Sequence, residues 1–199
     1  MTIPNLLTLL RIVLVPVFVS LLFYQEFVWA LITFVVAGVT DGIDGWLARH
    51  FNQSSEIGKV LDPLADKLLM TTAFIVLSLP SIIPKENHLP VPFWLTAAVI
   101  ARDILILSVA GTIFVVTGFR GFRPSKWGKI STFVQIFAVG LILLATAFPE
   151  LKGFYLPLVY YIVFIFAAIS GIHYIFFVTR LMNQQKIEPG SDPPAVTGS

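Results

Sequence analysis

The sequence contains no cysteine, which excludes disulfides, thiolate metal sites and cysteine nucleophiles. Charge is also sparse. Asp, Glu, Lys and Arg together make up 12% of the 199 residues, and a formal net charge of +2 is too small to argue for nucleic acid as a partner. No basic region precedes the first apolar run, MTIPNLLTLLRIVLVPVF, and no small-residue cleavage site follows it, so the start of the chain reads as a retained helix rather than a signal peptide. Histidine is scarce and scattered: His50, His88 and His173 show no metal-ligand spacing and read as interfacial or packing residues. What the chain has in quantity is apolar, at 57% of residues, with 18 phenylalanines spread over several segments. That is the composition of a polytopic membrane protein with a single membrane domain.

Apolar runs long enough to cross a hydrocarbon layer of about 30 Å occur near residues 5–24, 27–49, 58–79, 92–117, 127–148 and 155–178. Turn and polar residues separate them, as in Asn52-Gln53-Ser54-Ser55 and Gly121-Phe122-Arg123-Pro124. The expected fold is therefore an all-α integral membrane protein, a bundle of six transmembrane helices over residues 1–182. The Gln-, Pro-, Gly- and Ser-rich tail 183–199 is expected to be disordered. Lys and Arg orient the bundle, because cytoplasmic loops carry the excess. Arg49 and Lys59, then Arg120, Arg123, Lys126 and Lys129, and finally Arg180 and Lys186 lie on one side, against only Lys85 and Lys152 on the other. Both termini are expected to be cytoplasmic.

Against this apolar background, the stretch DGIDGWLARHFNQSSEIGKVLDPLAD holds four of the six aspartates. At about 100° per residue, Asp41, Asp44, Gly45 and Ala48 fall on one flank of a helix. Gly58, Asp62 and Asp66 form a similar row on the next helix, beyond a short polar turn. Two facing helices would bring four carboxylates to one small volume. An aspartate at membrane depth costs about 2.5 to 3.5 kcal/mol, and four like charges repel, so a cationic occupant is expected. Two divalent cations would balance the charge, and oxygen donors favour hard ions such as Mg²⁺ or Mn²⁺. Close helix packing alone would explain the glycines but not the aspartates.

Other polar residues inside apolar runs need partners as well. Asn5, Thr8 and Arg11 advance by threes along one flank of the first helix; they either line the same cavity or sit at the interface with Arg11 snorkelling to headgroups. Arg102 and Asp103 lie deep in the fourth run, where arginine is costly unless it faces the bundle interior. Arg102 either neutralises a motif carboxylate or binds phosphate. Lys129 enters the fifth helix and, with Arg120, Arg123 and Lys126, makes a basic rim.

The aspartate stretch resembles the signature of the CDP-alcohol phosphotransferase family, Asp-x2-Asp-Gly-x2-Ala-Arg-x8-Gly-x3-Asp-x3-Asp, at every fixed position and spacing. The resemblance implies a membrane enzyme, in a bacterial inner membrane with its site facing the cytoplasm, that transfers a phosphatidyl group from CDP-diacylglycerol and releases CMP. It implies Asp41, Asp44, Asp62 and Asp66 as ligands of two divalent cations, Mg²⁺ or Mn²⁺, and Asp66 also as the general base. Gly45, Ala48 and Arg49 would contact the nucleotide and its pyrophosphate. Arg102 and Lys129 would help to hold a phosphorylated acceptor.

The opening Ile-Pro-Asn-Leu-Leu-Thr-Leu-Leu-Arg and the segment Leu61-Asp62-Pro63-Leu64-Ala65-Asp66-Lys67 look like the members that use glycerol 3-phosphate. Cardiolipin-forming members, whose acceptor is phosphatidylglycerol, look similar there. The Arg102-Asp103 pair departs from the Arg-Glu more usual among the glycerophosphate enzymes and is found often in the cardiolipin type. The expected acceptor is glycerol 3-phosphate, with phosphatidylglycerol as the alternative. A homodimer is left open. A divalent-cation transporter would also need intramembrane carboxylates, but it does not account for the Gly-Ala-Arg face; CMP release as against ion flux in liposomes separates the two.

Overall fold

The computed structural model describes residues 3–51, 58–82, 91–117, 126–148, 150 and 155–187, with side chains over 8–42, 64–82, 91–109, 111, 127–148, 150, 155–176 and 179. Among these residues there are six α-helices and no strand: α1 Ile3–Phe23, α2 Phe27–Phe51, α3 Gly58–Leu77, α4 Phe93–Thr117, α5 Lys126–Ala147 and α6 Leu156–Ile187. Hydropathy located all of them, and each boundary but the last falls within two residues of its apolar run. The exception is α6, which continues through residues 183–187, assigned on sequence to the tail. Leu181, Met182, Gln184, Gln185 and Lys186 are good helix formers, so a helix started in an apolar segment has no local reason to stop there. Residues 188–199 lie outside the described part.

Two spans, Trp127–Ala147 and Leu156–Phe176, are each 21 residues long and apolar enough to cross a membrane; Thr8–Phe23 and Phe27–Gly42 are shorter apolar stretches. The chain divides into two compact units, residues 1–93 with 136–157, and residues 94–135 with 158–199.

In the first unit α1 packs against α2 and α3. Phe18, Leu22, Ala30, Phe34, Ala37, Leu69, Ala73, Phe74 and Leu77 form its core, and the Phe18 and Phe34 rings lie 6.0 Å apart at 43°. The distribution of polarity on α1 is inverted relative to a soluble protein. Thr8 and Arg11 are fully buried, whereas Leu9, Leu10, Val13 and Val17 are exposed. The same inversion runs along α5, where Ser131, Gln135 and Thr146 are buried and Ile130, Phe133 and Phe137 are exposed. Water would penalise so continuous an exposed apolar surface; hydrocarbon would not.

Several threonine hydroxyls within the helices are satisfied locally, as suits membrane helices. Thr33 donates to the Trp29 carbonyl at 2.8 Å, Thr40 to Val36 at 2.9 Å and Thr146 to Ile142 at 2.7 Å. Just before α6, the Tyr155 hydroxyl donates to the Leu141 carbonyl at 3.3 Å.

The α1–α2 junction is a tight reversal. The Glu26 amide donates to the Leu21 carbonyl at 2.9 Å and the Gln25 amide to Leu22 at 3.1 Å, the paired bonds of a Schellman cap. The left-handed residue that this cap requires is Gln25, at φ 61°, where glycine is the usual occupant. Gln25→Gly is therefore expected to raise stability by a few tenths to about 1 kcal/mol. Thermal unfolding in detergent tests this, and a lower midpoint would mean that the glutamine side chain itself contributes to the turn.

Candidate active site

Three helices of the first unit meet at Arg11. Its guanidinium reaches Asp41 of α2 with Nη2 and Asp66 of α3 with Nη1, taking the Oδ1 atom of each carboxylate at 2.9 Å. The arginine side chain is 1% exposed, while the two carboxylates are 42% and 43% exposed. The cation is thus sealed behind the two aspartates, which remain approachable from the other side. Thr8, one turn earlier on the same flank, is buried with it. Of the two sequence readings of Arg11, the cavity is the one realised: a snorkelling arginine would leave its head exposed.

Asp41 and Asp66 lie 25 positions apart, and their contact with adjacent arms of one guanidinium brings the two halves of the aspartate stretch together. The backbones of Asp44, Gly45, Ala48 and Arg49 belong to α2, and those of Gly58 and Asp62 to α3. The side chains of Asp44, Ala48, Arg49 and Asp62 lie outside the described part. The described donors fit a hard divalent cation in kind, being carboxylate oxygens from two helices converging on one place with part of their surface open.

The second unit contains a separate polar node. Arg102 and Asp103 of α4 are each 6% exposed, and Ser170 of α6 is 1% exposed. Arg102 Nη1 donates to Asp103 Oδ1 at 2.7 Å, and Nη2 donates to Ser170 Oγ at 2.8 Å and to the Gly128 carbonyl of α5 at 3.2 Å. Nε adds a 3.2 Å bond to Ser170. One guanidinium therefore ties together three helices of this unit. Arg102 bonds the carboxylate of its own neighbour, a pairing not expected on sequence because adjacent helix positions diverge. Nothing in the sequence marked Ser170, a lone serine in an apolar run. Lys129, one residue beyond Gly128, is exposed.

Residues 1–181 match the profile of the family described as CDP-alcohol phosphatidyltransferase. The chain belongs to this family. Among CDP-alcohol phosphatidyltransferases, it is 34% identical over 193 residues to the CDP-diacylglycerol–glycerol-3-phosphate 3-phosphatidyltransferase of Blochmanniella floridana, covering 94% of this chain and 95% of that protein. It is 39% identical over 149 residues to the Escherichia coli K12 protein of the same name, covering 71% of this chain and 76% of that one. It is also 34% identical over 154 residues to the cardiolipin synthase (CMP-forming) of Streptomyces coelicolor, covering 73% of this chain and 66% of that protein. Family members named for different reactions thus lie at similar distances, and overall identity does not separate them.

Proposed function

We propose that this CDP-alcohol phosphatidyltransferase transfers the phosphatidyl group of CDP-diacylglycerol to glycerol 3-phosphate and releases CMP, as a step of phospholipid synthesis. The observation that carries the reading is the convergence of Asp41 and Asp66 from two helices, in a chain whose near-full-length relative is named for this reaction. In the reaction, a hydroxyl oxygen of the acceptor bonds to the lipid-side phosphorus of the donor. The bond from that phosphorus to the oxygen bridging to CMP breaks, and the hydroxyl proton passes to Asp66. Divalent cations, when bound, hold phosphate oxygens and offset the charge that develops on the leaving group. Asp41, Asp44, Asp62 and Asp66 are the proposed cation ligands. Gly45 and Ala48 let the nucleotide approach closely, and Arg49 bonds its pyrophosphate. A six-span arrangement with both termini and the carboxylates on the cytoplasmic side of a bacterial inner membrane would leave the acyl chains in the bilayer while admitting soluble glycerol 3-phosphate.

Arg102 and Lys129 are the proposed sources of positive charge for the acceptor phosphate, Arg102 oriented by Asp103 and Ser170, and Lys129 exposed. Loss of one charge-assisted contact is worth about 1.5 to 3 kcal/mol. Lys129→Ala is therefore expected to raise KM for glycerol 3-phosphate by about tenfold or more and to leave that for CDP-diacylglycerol little changed. The reading itself is tested by offering purified protein CDP-diacylglycerol with glycerol 3-phosphate, phosphatidylglycerol, serine or inositol and measuring CMP formed with each. The Arg102-Asp103 pair favours phosphatidylglycerol as the second reading; turnover with that lipid and none with glycerol 3-phosphate would establish it instead.

A further inference from the structure

Arg11 has no place in the reaction just described, yet it touches two of the four carboxylates proposed to hold metal. We propose that Arg11 is the resident counter-ion of the site: in the metal-free protein it holds Asp41 and Asp66 together, and divalent cations bind those aspartates against its charge. The inference rests on the reading of the aspartates as metal ligands.

The geometry separates this role from that of a substrate-binding arginine. Nη1 reaches one carboxylate and Nη2 the other, so the guanidinium bridges two helices, whereas the fork used for phosphates and single carboxylates turns both nitrogens to one partner. The head is buried while the aspartates are partly open, so a cation can approach the carboxylates without first expelling the arginine. Expulsion would leave a guanidinium buried without its partners, a strongly unfavourable state. Arg11 and an incoming cation must therefore share the carboxylates.

Sharing has a predictable sign. The guanidinium lies 2.9 Å from one oxygen of each carboxylate, and its positive field opposes a divalent cation on the same groups, since like charges repel most strongly at short range. Arg11 thus trades affinity for order: the carboxylates of α2 and α3 stay assembled without metal, at the cost of weaker metal binding.

The experiment measures Mn²⁺ affinity by titration calorimetry, and the thermal midpoint with and without Mn²⁺, for the full chain in detergent. It compares wild type with Arg11→Met and Arg11→Gln; glutamine removes the charge but keeps a hydrogen-bond donor. Both variants are expected to unfold at lower temperature than wild type without metal, to bind Mn²⁺ about tenfold more tightly or better, and to gain more in midpoint on adding it. Unchanged or weaker Mn²⁺ binding by the variants, with wild type binding normally, would overturn the proposal and make Arg11 a residue that only positions the ligands. A variant recovered folded only with Mn²⁺ supports it. Failure of both variants to fold even with Mn²⁺ counts against it, since the metal should then replace the missing charge. No Mn²⁺ binding by wild type would instead refute the metal reading itself, whatever the variants do.

Discussion

Asp66→Asn is expected to lower the rate of CMP release by about 10²- to 10⁴-fold, the range that a positioned general base contributes, while CDP-diacylglycerol binding is largely retained. The substitution removes the proton acceptor and one negative charge but keeps an oxygen ligand of similar size. An asparagine keeps a side-chain oxygen where Asp66 Oδ1 accepts from Arg11 Nη1, so α1 and α3 can remain joined, and the arginine charge is still met by Asp41. Loss of turnover with a normal unfolding midpoint would therefore reflect chemistry rather than collapse of the site. Asp41→Asn serves as the comparison: it removes the same charge from the same guanidinium but leaves the proposed base in place. Equal losses in the two variants, both relieved by raised Mn²⁺, would reduce Asp66 to a ligand, and near-normal turnover of Asp66→Asn would remove it from the chemistry altogether.

The contrast between Arg11 and Arg102 shows how far sequence reasoning extends here. Helix positions follow from hydropathy because apolar length is a property of each segment alone, and the approach of Asp41 on α2 to Asp66 on α3 follows from helical periodicity. Partner choice is different in kind. An arginine eleven residues into the chain can reach headgroups or carboxylates with equal ease, and the packing of α1 on α2 and α3 decides between them. For Arg102, the cost of arginine at membrane depth calls for an interior partner, a motif carboxylate or a phosphate, but does not name one. The long side chain folds back to the adjacent Asp103 and also bonds Ser170, a residue 68 positions away in a run with no visible polar periodicity. The limit of α6 was misjudged for a related reason: loss of hydropathy marks the end of a span, not the end of a helix, and the residues after the span favour helix on their own.

The largest stability effect is expected at the Arg102 node. Arg102→Met removes the cation and leaves the buried Asp103 carboxylate without it, with Ser170 and the Gly128 carbonyl also losing donors. Breaking a buried ion pair by removing one member costs about 3 to 5 kcal/mol, and that penalty should appear as a marked fall in the unfolding midpoint in detergent. Asp103→Leu should cost less, because the guanidinium keeps its bonds to Ser170 and Gly128. The double variant should be more stable than the sum of the single effects, since both members of the pair are gone; such non-additivity is the signature of direct coupling. A loss below about 1 kcal/mol in Arg102→Met, the range of an exposed ion pair, would mean that water reaches the node. Arg102→Lys then separates folding from acceptor binding. A lysine retains the charge opposite Asp103 but cannot reproduce the four bonds of the guanidinium. If Arg102 also serves the acceptor phosphate, this variant should show a KM for glycerol 3-phosphate raised beyond what its remaining stability explains, with the KM for CDP-diacylglycerol unchanged. If the node is structural alone, the two constants should move together or not at all.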